Sequence, residues 1–436
     1  MTAAILLVLL SFVTNPVANS EKYWPQWRGP LATGVAPNAN PPLEWSEEKN
    51  IHWKIEIPGK GSSSPIVWGD RVYLTTAIPT GKSAAPASPE SGDSRRRGIA
   101  ATEVLQFVLL AISRRDGKIV WQRTAVEALP HEGTHPDGTW ASNSPVTDGE
   151  HLIASFGSRG LFCYDMTGKL IWQKDLGDMS TRNSFGEGNS PALYGNTLVV
   201  NWDHEGQSFI IALDKRTGKE LWKADREEPT SWSTPLVVTH AGKPQVIVNA
   251  TNRVRSYDLA NGKLIWENTG TTLNAIPSPV AMEDMVYVTG GFRGSALFAI
   301  RFAEAQGDLS NSAAVVWKHD QDTPYVPSPL LYDGKLYFLK VNSGILSCFN
   351  AKTGEPHYSR QRLESITNIY ASPVGAAGRV YLLSRDGVTM VIKNSESFEV
   401  MATNKLEDNT DASPALVDNE IYLRGRKFLY CIAEAR

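Results

Sequence analysis

An all-β chain closed into an eight-bladed propeller of four-stranded antiparallel blades is what the 436-residue sequence predicts. Three observations carry that expectation. A Ser-Pro or Thr-Pro step followed by a short apolar run recurs eight times, at Pro65, Pro145, Pro191, Pro235, Pro279, Pro329, Pro373 and Pro414. The spacings of 80, 46, 44, 44, 50, 44 and 41 residues match one blade each, with an insertion in the first. The 13 Trp, 35 Gly and 26 Pro suit a turn-rich sheet protein better than a helical bundle.

Each unit repeats one internal logic. Proline opens the first strand, where its missing N–H costs no ladder bond. A tight turn follows, such as Asp148-Gly149, Gly195-Asn196, Asp333-Gly334 or Asp418-Asn419, built from residues that tolerate positive φ. A second strand, for example Lys335 to Leu339, leads to a third ending in an aliphatic or aromatic residue and Asp, as in Tyr164-Asp165, Leu213-Asp214 and Tyr257-Asp258. A Gly-Lys turn then opens a fourth strand carrying Trp121, Trp172, Trp222, Trp266 or Trp317, with Tyr358 and Val400 in that slot of units six and seven.

The eighth unit ends near Cys431 to Arg436 without a fourth strand, while Asn50, Ile51, His52, Trp53, Lys54 and Ile55 form an orphan strand ahead of the first unit. Pairing the two closes the ring and removes two exposed edges. Residues 50–436 are therefore expected to form the propeller.

Ahead of it, residues 21–49, with Trp24, Trp27 and Arg28, read as an extended clasp. Residues 1–20 read as a secretory signal peptide with an 11-residue apolar run from Ala3 to Val13, too short to span a bilayer comfortably. Residues 79–101, rich in Pro, Ser, Ala and Gly and carrying Arg95, Arg96 and Arg97, read as a flexible insertion in blade one.

Cys163, Cys348 and Cys431 share a repeat position with Ala111, Ala212, Ser256, Ala299 and Val391. That small, inward-facing position predicts three separate buried thiols and no disulfide.

With 43 Lys+Arg against 46 Asp+Glu and a net charge of -3, no global field selects nucleic acid or an anionic membrane. Hydrolase and phosphate-loop motifs are missing from the sequence.

The Ser-Pro openings, the aliphatic-Asp strand ends and the Gly-Lys-x-x-Trp closures resemble the quinoprotein alcohol dehydrogenase repeat, the pyrroloquinoline-quinone-type propeller family, over residues 50–433. That resemblance implies that Trp53, Trp121, Trp172, Trp222, Trp266 and Trp317 dock between adjacent blades. It also raises a quinone-dependent dehydrogenase as the alternative reading. The family's enzymes carry an adjacent Cys-Cys pair, and here no two cysteines are adjacent. The reading favoured is the non-catalytic branch, similar to propellers of outer-membrane protein assembly. It implies a periplasmic or secreted monomer with no cofactor and no metal. Its partner would be a protein or polysaccharide of the cell envelope, its membrane contact only indirect.

In a propeller the loops between strands two and three, and the links into each first strand, emerge at one mouth, and loops on a rigid scaffold are where binding groups concentrate. Blades two to four and their links supply His131, Glu132, His135, Asp137, Arg182, Asn183, Glu187, Asp203, His204, Glu205, Arg226 and Trp232. The candidate ligand site expected there is His131, His135, Arg182, Asn183, Glu187, Asp203, His204, Glu205, Arg226 and Trp232, converging on one concavity. Blades six to eight supply fewer groups, chiefly Arg385, Asp386, Asp411 and Arg424.

Overall fold

A computed structural model describes residues 20–84 and 98–434. The signal-peptide reading therefore falls, but for Ser20, outside the described residues, as do Arg95, Arg96 and Arg97. Eight sheets follow one another around the ring, each built on four antiparallel strands, with a fifth strand added to one of them. Blade one comprises Ile66–Trp68, Arg71–Ser83, Glu103–Ser113 and Ile119–Ala128. Its ladder runs into the expected insertion, since Pro79 faces Leu105 and Ser83 faces Glu103. Residues 79–83 are thus strand, the register having carried the pairing past the point where composition turns loop-like.

Blade eight is composite. Ile51–Glu56 pairs antiparallel with Phe428–Ile432, placing Trp53 opposite Cys431, so the first strand of the ring completes the last blade. Blade four has a fifth strand, Gly307–Asp308, running parallel to Leu264–Thr269 on its outer edge.

Two repeated contacts lock blade to blade. On the outside, the indole of one blade lies on the turn glycine of the next. A Cβ added at Gly117, Gly168 or Gly218 would stand 2.9, 2.9 or 2.8 Å from the ring of Trp53, Trp121 or Trp172. Gly262 under Trp222 and Gly354 under Trp317 repeat the arrangement. All five glycines have φ between 68° and 83°, so both the backbone and the indole above it require a residue without Cβ. The indole N–H groups of Trp53, Trp172, Trp222 and Trp317 donate to main-chain carbonyls of Arg114, Lys215, Leu259 and Ala351 in the following blade at 2.7–2.9 Å.

Trp266 departs from this pattern. Its N–H donates to Gln245 of its own blade at 3.2 Å, and its ring is buried among Val286, Val288, Ile300, Leu309 and Ala314. Blade five has no Gly-Lys turn at that point; the longer excursion that supplies the fifth strand occupies its place.

On the inside, the residue before each repeat proline closes a ring. The N–H of Ser64 donates to the hydroxyl of Ser144 at 2.9 Å, and the same step runs through Ser190, Thr234, Ser278, Ser328, Ser372 and Ser413 back to Ser64, every link 2.9–3.0 Å. The Ser-Pro step is therefore a blade-to-blade hydrogen bond as well as a strand start.

Residues 21–49 cross the face opposite the mouth. Trp24 bridges to Val67 of blade one, the N–H of Thr147 in blade two donates to Pro25 at 2.9 Å, and Gly34 and Ala36 exchange hydrogen bonds with Gly375 of blade seven at 2.9 Å. The stretch from Trp27 to Ala32 consequently spans the ring axis. Cys163, Cys348 and Cys431 are all free and buried. They face Trp172, Tyr358 and Trp53 across the ladder, and burial pushes the Cys163 and Cys348 thiols up to about 12.

Candidate functional site at the propeller mouth

At the mouth the links into the first strands enclose a cavity of about 260 Å³. Its floor is Trp27 of the clasp with six hydroxyls of the inner ring, and its walls include His135, Phe185, Glu187, Trp232, Tyr325 and Tyr370. His135 is set by its own loop. Its Nδ1 accepts the N–H of Asp137 at 3.0 Å, and its ring meets Phe185 edge to face at a centroid distance of 4.7 Å. Trp232 donates to the Gly186 carbonyl at 2.7 Å.

Glu187 turns its carboxylate inward onto the N–H of Ser158 at 2.7 Å and onto the Ser158 hydroxyl. Burial pushes its carboxyl up to about 7, against the lowering effect of those hydrogen bonds, so it changes charge near neutrality.

The link holding His131 to Asp137 reaches across the mouth. Arg385 of blade seven donates to Asp137 at 2.9 Å and to Asp411 at 2.5 Å, and its guanidinium lies 4.0 Å from the centroid of Tyr370. Tyr370 donates to Asp137 at 3.1 Å. Arg385 holds the Asp137 carboxyl below the usual carboxylate range. Asp411 also accepts from Arg426 at 3.0 Å. Blades two to four with their links supply the larger share of the cavity lining, but blades six to eight also reach it, through Tyr325, Tyr370 and Asp411 among others, and the bridge between the two sides was not legible in the sequence. The reason is nonlocal, since Asp137 and Arg385 are 248 residues apart.

Of the ten candidate site residues, His135, Glu187 and Trp232 line this cavity. His131 stands beside it, 3.2 Å from Asp178, and with Glu187 lines a small adjoining pocket. Arg182, Asn183, His204 and Glu205 belong to a hydrogen-bonded belt behind the wall. The N–H of Arg182 donates to Thr230 at 2.9 Å, and the Thr230 hydroxyl to Glu205 at 2.8 Å. Gly98 donates to the Asn183 carbonyl at 3.0 Å. His204 Nδ1 accepts from Ser180 at 3.1 Å while its Nε2 meets the Gln207 carbonyl at 3.1 Å. Both ring nitrogens are thus engaged in hydrogen bonds within the belt.

Asp203 and Arg226 are not at the cavity surface. They form an ion pair at 2.7 and 3.1 Å with both side chains 0% exposed. Asp203 also accepts from Ser231 at 2.6 Å and Asn201 at 3.1 Å. Exposed loop tips were the expectation for this pair, and the structure places it inside the sheet packing. Phe185, Tyr325 and Tyr370 were passed over in the sequence because an aromatic residue ahead of a repeat strand reads equally well as core.

A family profile described as outer membrane protein assembly factor BamB matches residues 106–358. The protein of that description from Burkholderia pseudomallei is 23% identical over 377 residues, 82% of this chain and 83% of that one. Its counterpart from Francisella salina is 25% identical over 232 residues, and the match spans 52% of this chain and only 41% of that protein. The lanthanide-dependent methanol dehydrogenase of Methylacidiphilum fumariolicum is 36% identical over 89 residues, 18% of this chain and 14% of the enzyme. Among solved structures, BamB from Moraxella catarrhalis superposes with a TM-score of 0.55 at 14% identity, over 87% of this chain and 98% of that chain. The quinohemoprotein alcohol dehydrogenase ADHIIG from Pseudomonas putida gives 0.58 at 12% identity, over 96% and 82%. At these identities the structural likeness establishes the fold alone.

Proposed function

The chain belongs to the family described as outer membrane protein assembly factor BamB, and from that premise we propose that it is a periplasmic scaffold whose mouth holds an extended segment of an envelope protein. The observation that carries this reading is the mouth cavity, about 260 Å³ with Phe185, Trp232, Tyr325 and Tyr370 around a floor of hydroxyls. Rigid aromatic walls supply apolar contact area at little entropic cost, and hydroxyls supply adaptable hydrogen bonds to a peptide backbone. The fixed Asp137–Arg385–Asp411 bridge keeps opposite sides of the mouth at a set separation, so a partner meets a preformed site.

The match to a methanol dehydrogenase raises a second reading, a quinone enzyme with a bound metal. We favour the scaffold reading over it. Among the described residues the one grouping of three His, Cys, Asp or Glu ligands is Asp148, Glu150 and His151, in the turn between the first two strands of blade two, at the face opposite the mouth. Asp148 is already paired there with Lys215.

The test is capture of the partner from an envelope extract by the full chain and by Trp232→Ala and Tyr325→Ala, with Arg115→Ala on the opposite face as control. Each mouth variant should lose roughly thirtyfold in affinity, the cost of about 2 kcal/mol for an aromatic hot spot, while melting near the parent temperature. Unchanged capture by both mouth variants would remove the mouth from the binding surface.

A further inference from the structure

The inner ring has donors to spare. Each of the eight Ser/Thr hydroxyls accepts one backbone N–H from the preceding blade. A hydroxyl also donates one hydrogen, and none of these eight donates to any described residue. Six of them line the floor of the mouth cavity around Trp27, whose indole N–H likewise has no partner among the described residues. Thr234, Ser278 and Trp27 also line a second cavity of about 20 Å³, together with Arg28, and that volume suffices for one water-sized or halide-sized guest.

The charge around this ring is one-sided. The Arg28 guanidinium is 3% exposed and meets only main-chain carbonyls, those of Pro329 and Pro373 at 2.6 Å and Thr33 at 3.0 Å. Its Nε is buried without a partner. Pro329 and Pro373 directly follow the ring members Ser328 and Ser372. Further round the ring, at the seam of blades eight and one, Arg424 is 2% exposed and bonds only Ser63 and the Thr75 carbonyl, Ser63 being the neighbour of ring member Ser64. Neither arginine touches a carboxylate, in contrast to Arg226 and Arg385. Burial without a counter-charge pulls both down to about 9. Of the carboxylates lining the mouth cavity, Asp137 and Asp411 are balanced by Arg385 and Arg426 together, and Glu187 faces Ser158 on the wall.

Two buried cations without counter-ions, around a ring of unspent O–H donors, make the axis a place where negative charge is stabilised. We propose that the propeller axis at the Ser/Thr ring binds a small monovalent anion, a halide or a carboxylate group, which the ring hydroxyls and the Trp27 N–H hold and Arg28 and Arg424 balance. The clasp supplies Trp27 and Arg28, so the anion ties residues 21–49 to the ring. The site shares floor hydroxyls with the mouth cavity, so its test reads anion binding directly and not partner capture.

The experiment combines melting with diffraction. The full chain is unfolded in increasing sodium chloride or sodium formate at constant ionic strength, set with a bulky sulfonate too large for the ring. Crystals soaked in bromide are measured at the bromine absorption edge. A bound anion stabilises saturably, and at ten times its Kd the folding equilibrium rises about elevenfold. Arg28→Gln should flatten that titration, and Arg424→Gln should weaken it at least threefold while keeping the fold. Anomalous density on the axis together with a chloride response identifies a halide site. A formate response without bromide density identifies a carboxylate site. Should Arg28→Gln fail to fold, the bromide map and the Arg424→Gln titration decide. No saturable response to either anion in the parent chain, with no bromide on the axis, overturns the proposal.

Discussion

Asp203→Ala leaves the Arg226 guanidinium buried without its hydrogen-bonded counter-charge, the remaining carboxylate in its surroundings, Glu228, being already paired with Arg255. The pair is 0% exposed on both sides, with Arg226 bonding Asp203 at 2.7 and 3.1 Å. The Ser231 hydroxyl and the Asn201 amide would lose an acceptor in the same step. Removing one member of a buried, hydrogen-bonded ion pair costs about 3–5 kcal/mol, chiefly because the other charge stays desolvated. Asp203→Leu with Arg226→Met removes both charges and should fall within about 2 kcal/mol of the parent, since apolar replacement of a whole buried pair is often close to neutral. Guanidinium unfolding of the parent, Asp203→Leu, Arg226→Met and the double variant closes a mutant cycle, with a constant m-value as the check that the unfolded state is unchanged. A loss below about 1 kcal/mol in Asp203→Ala would refute the argument and return Asp203 to the role of an exposed loop residue available to a ligand.

Gly218→Ala forces a Cβ to 2.8 Å from the Trp172 ring at φ 68°, so it should cost about 2–4 kcal/mol and alter the near-ultraviolet circular dichroism of the indoles. Gly242→Ala, also at positive φ but with open space around it, should cost only the backbone share, and equal losses in the two variants would contradict the docking role. Cys163, Cys348 and Cys431 should react slowly in the folded chain and all three should react after denaturation without reductant; a count of one would reveal a disulfide. Glu187 has a folded pKa raised from 4.5 to about 7 by burial. The folded state therefore binds more protons than the unfolded state across that window. Its contribution is complete below about pH 4.5 and is lost as pH rises through about 7. Glu187→Gln should flatten the stability slope there, and an unchanged slope would assign it to other groups. Deleting residues 21–57 removes the strand opposite Phe428–Ile432 and exposes an edge, so aggregation or a large drop in melting temperature is expected, and a melt within a few degrees of the parent would contradict the closure.

The fold was legible because each blade restates the same local instructions. The Trp slot, the turn glycine and the Ser-Pro step recur at one spacing, and a pattern repeated eight times survives local exceptions such as Tyr358 and Val400 in the Trp slot. The orphan strand at Trp53 was readable by counting starts against closers. Trp266 was not separable from its equivalents in the sequence, because the excursion through Phe302 to Ala314 that changes its surroundings lies in the next blade. The serine of the Ser-Pro step carried a signal that the proline obscured: only when eight blades stand in a circle does its hydroxyl meet the N–H of its neighbour.

The mouth was less legible for a related reason. Repeats specify where loops emerge, and they say nothing about which loop crosses to which side. Polar residues at the ends of blades two to four looked alike in sequence, yet Asp203 and Arg226 satisfy each other inside the packing while His135, Glu187 and Trp232 reach the cavity. What separates the two groups is whether a partner of opposite charge stands within reach in the same sheet, and for Asp137 that partner is Arg385, nearly the whole ring away in sequence. The same criterion applied to the buried arginines sets Arg28 and Arg424 apart, since each is enclosed as fully as Arg226 and neither has found a carboxylate. An uncompensated charge held in the packing of a rigid ring marks where the protein expects something from outside itself.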